Sequence, residues 1–191
     1  MMSEPASREL WNQQYTNNRW AYLHDIEQFP RYALIGALCD KLHPAAKVLD
    51  IGCGEGILLS WLHLCKQYVG IDLSGVAIEK AIARHGPDQR GRFICSSAES
   101  YCHSSDEKFD IIVFNEVLYY FEDAVEAISS YACRLVDTGY FLISVSGFEP
   151  KTWNVVKEFF GHSFVMEANV EERTVNKTWN IAVARNSMRK N

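Results

Sequence analysis

Hydrophobic positions recur along this chain with two periods, and the changes from one to the other mark out its elements. Short apolar runs that read as buried strands occupy Val48–Ile51, Tyr68–Asp72, Arg92–Cys95, Phe109–Phe114 and Tyr140–Val145. Ser3–Asn18 is polar with Trp11 and Tyr15 four apart, the pattern of a short helix with an aromatic edge. Helices are predicted over Arg31–Leu42, just after Pro30, and over Ile57–Cys65, whose apolar surface nearly all round should pack it most deeply on the sheet. Ser74 caps another, with Ala77, Ile78, Ala81 and Ile82 at helical spacing until His85-Gly86-Pro87 stops it. Asp123 caps Ala124–Val136, and Pro150 begins a helix through Phe160. His162–Asn169 and Arg173–Val183 read as a terminal hairpin, and Arg185–Asn191 as a polar, frayed tail.

Strands alternating with helices and closing on a hairpin predict an α/β fold with an open, mostly parallel sheet. No repeat, low-complexity tract or linker interrupts the chain, so one domain accounts for it: an arm over residues 1–43, a core over 44–184 and a tail over 185–191.

The chemistry is concentrated at Val48–Gly56, where a strand breaks into a turn carrying Gly52, Gly54 and Gly56. Glycines there let the backbone turn sharply and approach a ligand closely. The loop reads G-x-G-x-G, and the third glycine of a dinucleotide fingerprint would fall at Ile57. A pyrophosphate beside Asp50 would be repelled by roughly a few kcal/mol at an effective dielectric near 20, whereas an ammonium would be attracted. Asp72 stands twenty positions after Gly52 at the end of the next apolar run, where an acid can bind both hydroxyls of a ribose. A nucleoside carrying an amino acid satisfies both acids. S-adenosylmethionine is such a molecule.

On these residues the chain resembles the class I S-adenosylmethionine-dependent methyltransferases. Val48–Gly56 (Val-Leu-Asp-Ile-Gly-Cys-Gly-Glu-Gly) is similar to their first motif, Val69–Leu73 to their second, and Phe109–Tyr120 to their fourth strand and its loop. The last of these, with the aromatic lead-in Trp11–Tyr32 and the ending Thr178-Trp-Asn-Ile-Ala, resembles the nodulation protein S branch, whose members N-methylate an amino sugar. The resemblance implies a Rossmann-like, seven-stranded sheet of order 3-2-1-4-5-7-6 with helices on both faces and an N-terminal helical lid. It implies a cofactor site of Trp20, Arg31, Asp50, Gly52, Cys53, Gly54, Asp72, Leu73, Ser97, Ala98 and Asn115, with S-adenosylhomocysteine as product. Trp20 and Tyr22 of the lid would shield the reactive centre, with His24 facing substrate; aromatic residues of a leading arm also pack on helices with no ligand involved. Arg31 would pair with the methionine carboxylate, or stand as a solvated first-turn arginine. Many relatives have Asp where Ser97 stands, so the bond to the adenine amino group would be weaker here or made by the Ser97 hydroxyl, with the Ala98 amide reaching a ring nitrogen.

Ligands of open α/β sheets sit at the carboxyl ends of strands where the order reverses, which puts Asn115, Glu116 and Tyr119 or Tyr120 at the reacting methyl. Glu116 would hydrogen-bond an acceptor amine and receive its proton, with Tyr120 and His24 beside it; each tyrosine suits the core equally well. The function expected is methyl transfer to a small amine, an amino sugar or alkylamine. A small-molecule O-methyltransferase, a non-catalytic S-adenosylmethionine-binding protein and a nicotinamide dehydrogenase are the rivals.

The chain has 191 residues, 48% hydrophobic, enough for one sizeable core. A net charge of −5 and scattered Lys and Arg argue against a nucleic-acid partner. The start, Met-Met-Ser-Glu-Pro, shows no secretory pattern, and no apolar run approaches the roughly 18 residues of a membrane span, so a cytoplasmic chain without a membrane partner is expected. The six cysteines form no C-x-x-C pair and read as buried free thiols, with no metal site. Oligomeric state is left open by the sequence.

Overall fold

A computed structural model describes residues 7–186. Seven strands form one sheet: β1 (Lys47–Ile51), β2 (Gln67–Asp72), β3 (Gly91–Cys95), β4 (Phe109–Asn115), β5 (Leu135–Ser146), β6 (Phe164–Arg173) and β7 (Thr178–Asn186). Their order is β3-β2-β1-β4-β5-β7-β6, with β7 antiparallel to both neighbours and the other pairings parallel. The helices are α1 (Arg8–Thr16), α2 (Phe29–Leu42), α3 (Gly75–His85), α4 (Ala98–Ser104), α5 (Ala124–Tyr131) and α6 (Pro150–Ser163).

The central strands are buried on both faces, as a parallel sheet requires. Along β1 and β4, Leu49, Ile51, Ile112 and Phe114 enter one core with residues of α4, α5 and α6. Val48, Ile111 and Val113 enter the other, with Ile35 and Cys39 of α2 and Leu58 and Leu59. Side chains alternate faces along a strand, so Asp50 falls on the Val48 side, buried at the strand tip. The strand order reverses between β1 and β4, and the ends of both open on that crevice.

Several boundaries differ from the sequence reading. Ile57–Cys65 is not a full helix but a 3-10 turn over Ile57–Trp61. Its last carbonyls and amides are taken by other partners: Asp40 accepts from the Leu64 N–H, the Ala45 N–H donates to the Leu64 carbonyl, and Arg90 donates to the Leu62 carbonyl. The chain is pulled into a loop, and the Leu64 side chain ends exposed. α5 stops at Tyr131 instead of Val136, because Leu135 already pairs with Phe109 as the start of β5. α2 begins at Phe29 rather than Arg31, with Pro30 in its first turn. α6 runs past Phe160 to Ser163, so the hairpin strands are Phe164–Arg173 and Thr178–Asn186. Arg185 is no frayed tail residue: it pairs with Tyr140 and Val165, and its side chain reaches Glu167. The first helix is described over Arg8–Thr16 with Ser7 as its cap; the expectation for residues 3–6, and for the tail over 187–191, lies outside the described residues.

Candidate active site

Above the carboxyl ends of β1, β2 and β4 lies a cavity of about 920 Å³. Its floor is the glycine loop. Gly52, Gly54 and Gly56 all take positive φ, at 70°, 54° and 71°, a conformation that costs L-residues about 1–2 kcal/mol each. A Cβ on Gly52 would come within 2.5 Å of Val117, and one on Gly54 within 2.7 Å of the Tyr15 hydroxyl. The loop is tied to β2, since the N–H groups of Gly52 and Cys53 both donate to the Ile71 carbonyl.

Asp72 holds this loop as well as facing the cavity. Its Oδ2 accepts from the Gly54 N–H at 2.9 Å and its Oδ1 from the Ser74 N–H at 2.8 Å. Burial raises its pKa, against the pull of those two bonds. Each oxygen keeps a second lone pair for a hydroxyl donor. Asp50 is buried more deeply, and its Oδ2 accepts from Tyr68. Its Oδ1 has no partner among the described residues. Burial lifts this carboxyl to about 7, against the Tyr68 hydrogen bond.

Arg31 is almost wholly buried, at 1% exposure, and is not the solvated residue a first-turn arginine could be. Its guanidinium donates to Asn115 Oδ1 at 2.5 Å and to Gln28 Oε1 at 2.9 Å, and lies over the rings of Tyr32 and Trp179. Its Nε is buried and without a partner among the described residues. So is the indole N–H of Trp20, which faces the same cavity. Buried donors and acceptors are normally satisfied. An unpaired carboxylate oxygen and unpaired cationic and indole donors, on residues lining one cavity, fit a zwitterion, and the glycine cradle with Asp72 fits a sugar.

The opposite wall is the loop after β4. Glu116 sits at φ 59°, an uncommon conformation for a residue with a side chain. Ser144, inside β5, donates to Asn115 Oδ1 at 2.8 Å and to Glu116 Oε1 at 3.2 Å, while the Tyr119 hydroxyl reaches Glu116 Oε2 at 3.4 Å. Burial raises the Glu116 pKa, against the nearby Arg31 charge and these hydroxyls. The arm covers this side with rings. Trp11 meets Tyr120 edge-on at 4.8 Å, and Trp20 lies between Trp11, Tyr15 and Tyr22.

The structure brings Trp20, Arg31, Asp50, Gly52, Cys53, Gly54, Asp72 and Leu73 to this one cavity, together with Ser97, Ala98, Asn115, Glu116 and Tyr120. His24 is the exception. It does not line the cavity, because Glu55 and Arg84 hold its ring outside, so it does not face substrate as expected. The Ser97 hydroxyl is committed too: it caps α4 by accepting from the Ser100 N–H and donates to Ser100 Oγ. Ser144, Gln28 and Tyr68 were missed in the sequence, and Tyr15 was read there only as the aromatic edge of the first helix. Ser144 alone carried a signal there, as a lone hydroxyl within the apolar run Phe141-Leu-Ile-Ser-Val145.

Residues 18–187 match the family described as the methyltransferase domain. The chain belongs to that family. Among curated relatives, it is 33% identical to nodulation protein S of Bradyrhizobium diazoefficiens over 97 residues, covering 50% of this chain and 46% of that protein. It is 29% identical to a ubiquinone biosynthesis O-methyltransferase of Rhodopseudomonas palustris over 151 residues, 72% of this chain and 57% of the relative. The chain therefore spans about half the length of these curated relatives. Its fold is that of the N-methyltransferase NodS from Bradyrhizobium japonicum WM9, solved with S-adenosyl-L-homocysteine, with a TM-score of 0.79 at 22% identity over 92% of this chain and 98% of NodS. The 1,6-didemethyltoxoflavin-N1-methyltransferase of Burkholderia thailandensis has a TM-score of 0.74 at 17% identity over 94% and 86%. These likenesses establish the class I methyltransferase sheet order. Among the described residues no group of three His, Cys, Asp or Glu is placed to hold a metal, and no helix is long and apolar enough to cross a membrane.

Proposed function

We propose that this chain transfers the methyl group of S-adenosylmethionine to the nitrogen of a small amine. The observation that carries the reading is the pair of acids at the tips of β1 and β2, facing one cavity over a positive-φ glycine loop, with one Asp50 oxygen buried and unpaired. Asp50 would take the ammonium, Arg31 and Trp20 the carboxylate, and Asp72 the ribose hydroxyls. Leu73 and Ala98 would flank the adenine. When bound, S-adenosylmethionine supplies a methyl carbon on a cationic sulfur, open to in-line displacement.

The protein's part is alignment and proton handling, and alignment alone can contribute roughly 7–11 kcal/mol. An amine nucleophile must be neutral as it reacts. Glu116 faces the acceptor side, and burial raises its affinity for a proton, so it suits accepting one from the amine N–H. Ser144 and Tyr119, which reach its two oxygens, fix its direction. An O-methyl acceptor would need a base at a hydroxyl, and His24, expected beside Glu116, does not line the cavity.

Calorimetry with S-adenosylhomocysteine and with NAD, followed by a homocysteine-release assay over amines, amino sugars and alcohols, tests this. Binding of the first ligand alone and turnover on an amine are expected. Binding of NAD alone would return the chain to the dehydrogenases. Turnover confined to alcohols would move the acceptor to oxygen, and binding without any turnover would leave a cofactor-binding protein.

A further inference from the structure

The arm is fastened to the body of the fold at a point the chemistry above does not use. Lys80 Nζ, on α3, donates to the Tyr15 carbonyl at 2.8 Å, to Asn18 Oδ1 at 3.1 Å and to Glu55 Oε1 at 3.2 Å. Arg84, one turn further along α3, reaches Glu55 Oε2 at 3.3 Å and His24 Nε2 at 3.1 Å, and that His24 nitrogen lies 3.0 Å from the same Glu55 oxygen. Groups of the arm, the glycine loop and α3 thus meet on one carboxylate, whose side chain is only 12% exposed. The fastened residue matters to the cavity. Tyr15 is buried with its hydroxyl against Gly54, and it forms the wall with Trp11 and Trp20.

We infer that Lys80 and Arg84, both paired with Glu55, are positioning residues that latch the aromatic arm over the cavity and set how fast its ligand enters and leaves. This rests on the proposed cofactor occupying that cavity. Lys80, Arg84 and His24 do not line it, and although Glu55 and Tyr15 do, every latch bond joins protein to protein. The latch therefore favours the closed arm equally with ligand inside or not, and a ligand shifts an equilibrium only by its differential affinity. Weakening the latch raises the population of the open arm in both states. Entry and exit accelerate together, while affinity stays almost constant. A group that binds the ligand directly would instead change affinity, mainly through dissociation.

Stopped-flow tryptophan fluorescence of S-adenosylhomocysteine binding separates these outcomes, applied to the full chain and to Lys80→Met, Lys80→Arg and Arg84→Met. Lys80→Met is expected to raise both rate constants by about tenfold with Kd within about twofold, the loss being moderate because Lys80 is partly exposed. Arg84→Met should show a smaller rise of the same kind, and Lys80→Arg should largely restore the original rates. Circular dichroism and thermal melting establish that each variant is folded. Should Lys80→Met not fold, raising salt from 0.1 to 1 M on the unaltered chain makes the same test, since screening weakens the latch. Unchanged rates in a folded variant, or a Kd that rises through dissociation alone, would overturn the latch. Failure of the unaltered chain to bind S-adenosylhomocysteine, read by calorimetry, would instead remove the methyltransferase reading and the latch with it.

Discussion

The Tyr68 hydroxyl donates to Asp50 Oδ2 across 2.6 Å, leaving Oδ1 of the same carboxylate buried and without a partner among the described residues. Tyr68 and Asp50 lie on neighbouring strands, two positions out of register, so the tyrosine reaches along β1 toward its tip. The bond holds the carboxylate plane and leaves one oxygen for the cavity.

A pH dependence follows from that carboxyl, raised from 3.8 to about 7 chiefly by burial. A raised carboxyl contributes stability that is fully present below its unfolded value and is lost as pH rises through its folded one, so Asp50 favours the ligand-free fold most below about pH 4 and least above about pH 7. A ligand ammonium needs the ionised form. S-adenosylhomocysteine affinity should therefore fall as pH drops below about 7, with proton release on binding near pH 6, read by calorimetry in buffers of different ionisation heat. Asp50→Asn should abolish the proton release.

Glu116→Gln keeps one of the two oxygens that Ser144 and Tyr119 address, at Oε1 and Oε2, turns the other into an N–H donor and removes the capacity to take a proton. Turnover on the best amine should fall by about 10²–10⁴, with S-adenosylhomocysteine affinity nearly unchanged. In the unaltered chain, burial places the Glu116 inflection above the ordinary 4.5, so the rate limb it governs should rise with pH through that shifted value. Retention of full turnover by Glu116→Gln would reassign the base.

Gly54→Ala meets two penalties, the positive φ of 54° and a contact 2.7 Å from the Tyr15 hydroxyl. The first costs about 1–2 kcal/mol of stability whatever the neighbour. Adding Tyr15→Phe should recover the contact part and leave the backbone part, measured by denaturant unfolding of both single variants and the double. Full recovery by the double variant would show that the backbone conformation is not strained.

Arg31→Lys preserves charge but cannot reproduce a planar fork to Asn115 and Gln28 or lie flat against Trp179. It should lower S-adenosylhomocysteine affinity by about tenfold or more and destabilise the fold by roughly 1–3 kcal/mol, because the buried Gln28 oxygen loses its donor and Asn115 Oδ1 keeps only Ser144. Binding and melting measured on the same preparation separate the two effects.

Much of this site could be read in the residues because local chemistry fixes it. Three glycines after an apolar run demand a turn, and the positive φ at each one is that demand met. The boundaries were less legible. Ile57–Cys65 carries a helical pattern, yet hydrogen bonds from Asp40, Ala45 and Arg90 break it, and no local period encodes partners that distant. His24 fails for the same reason: within an aromatic arm it read as facing substrate, but Glu55 and Arg84 turn it outward.

By itself the sequence determined the alternating strands and helices and the acids at two strand tips, because side-chain period and glycine freedom act within a few residues. Only the tertiary structure decided that Ser144 would orient Glu116, that Arg31 would be buried with an unpaired nitrogen, and that Lys80 would hold the arm. Those contacts join residues 28 to 84 positions apart, and they exist because parallel crossovers bring the strand ends to one crevice.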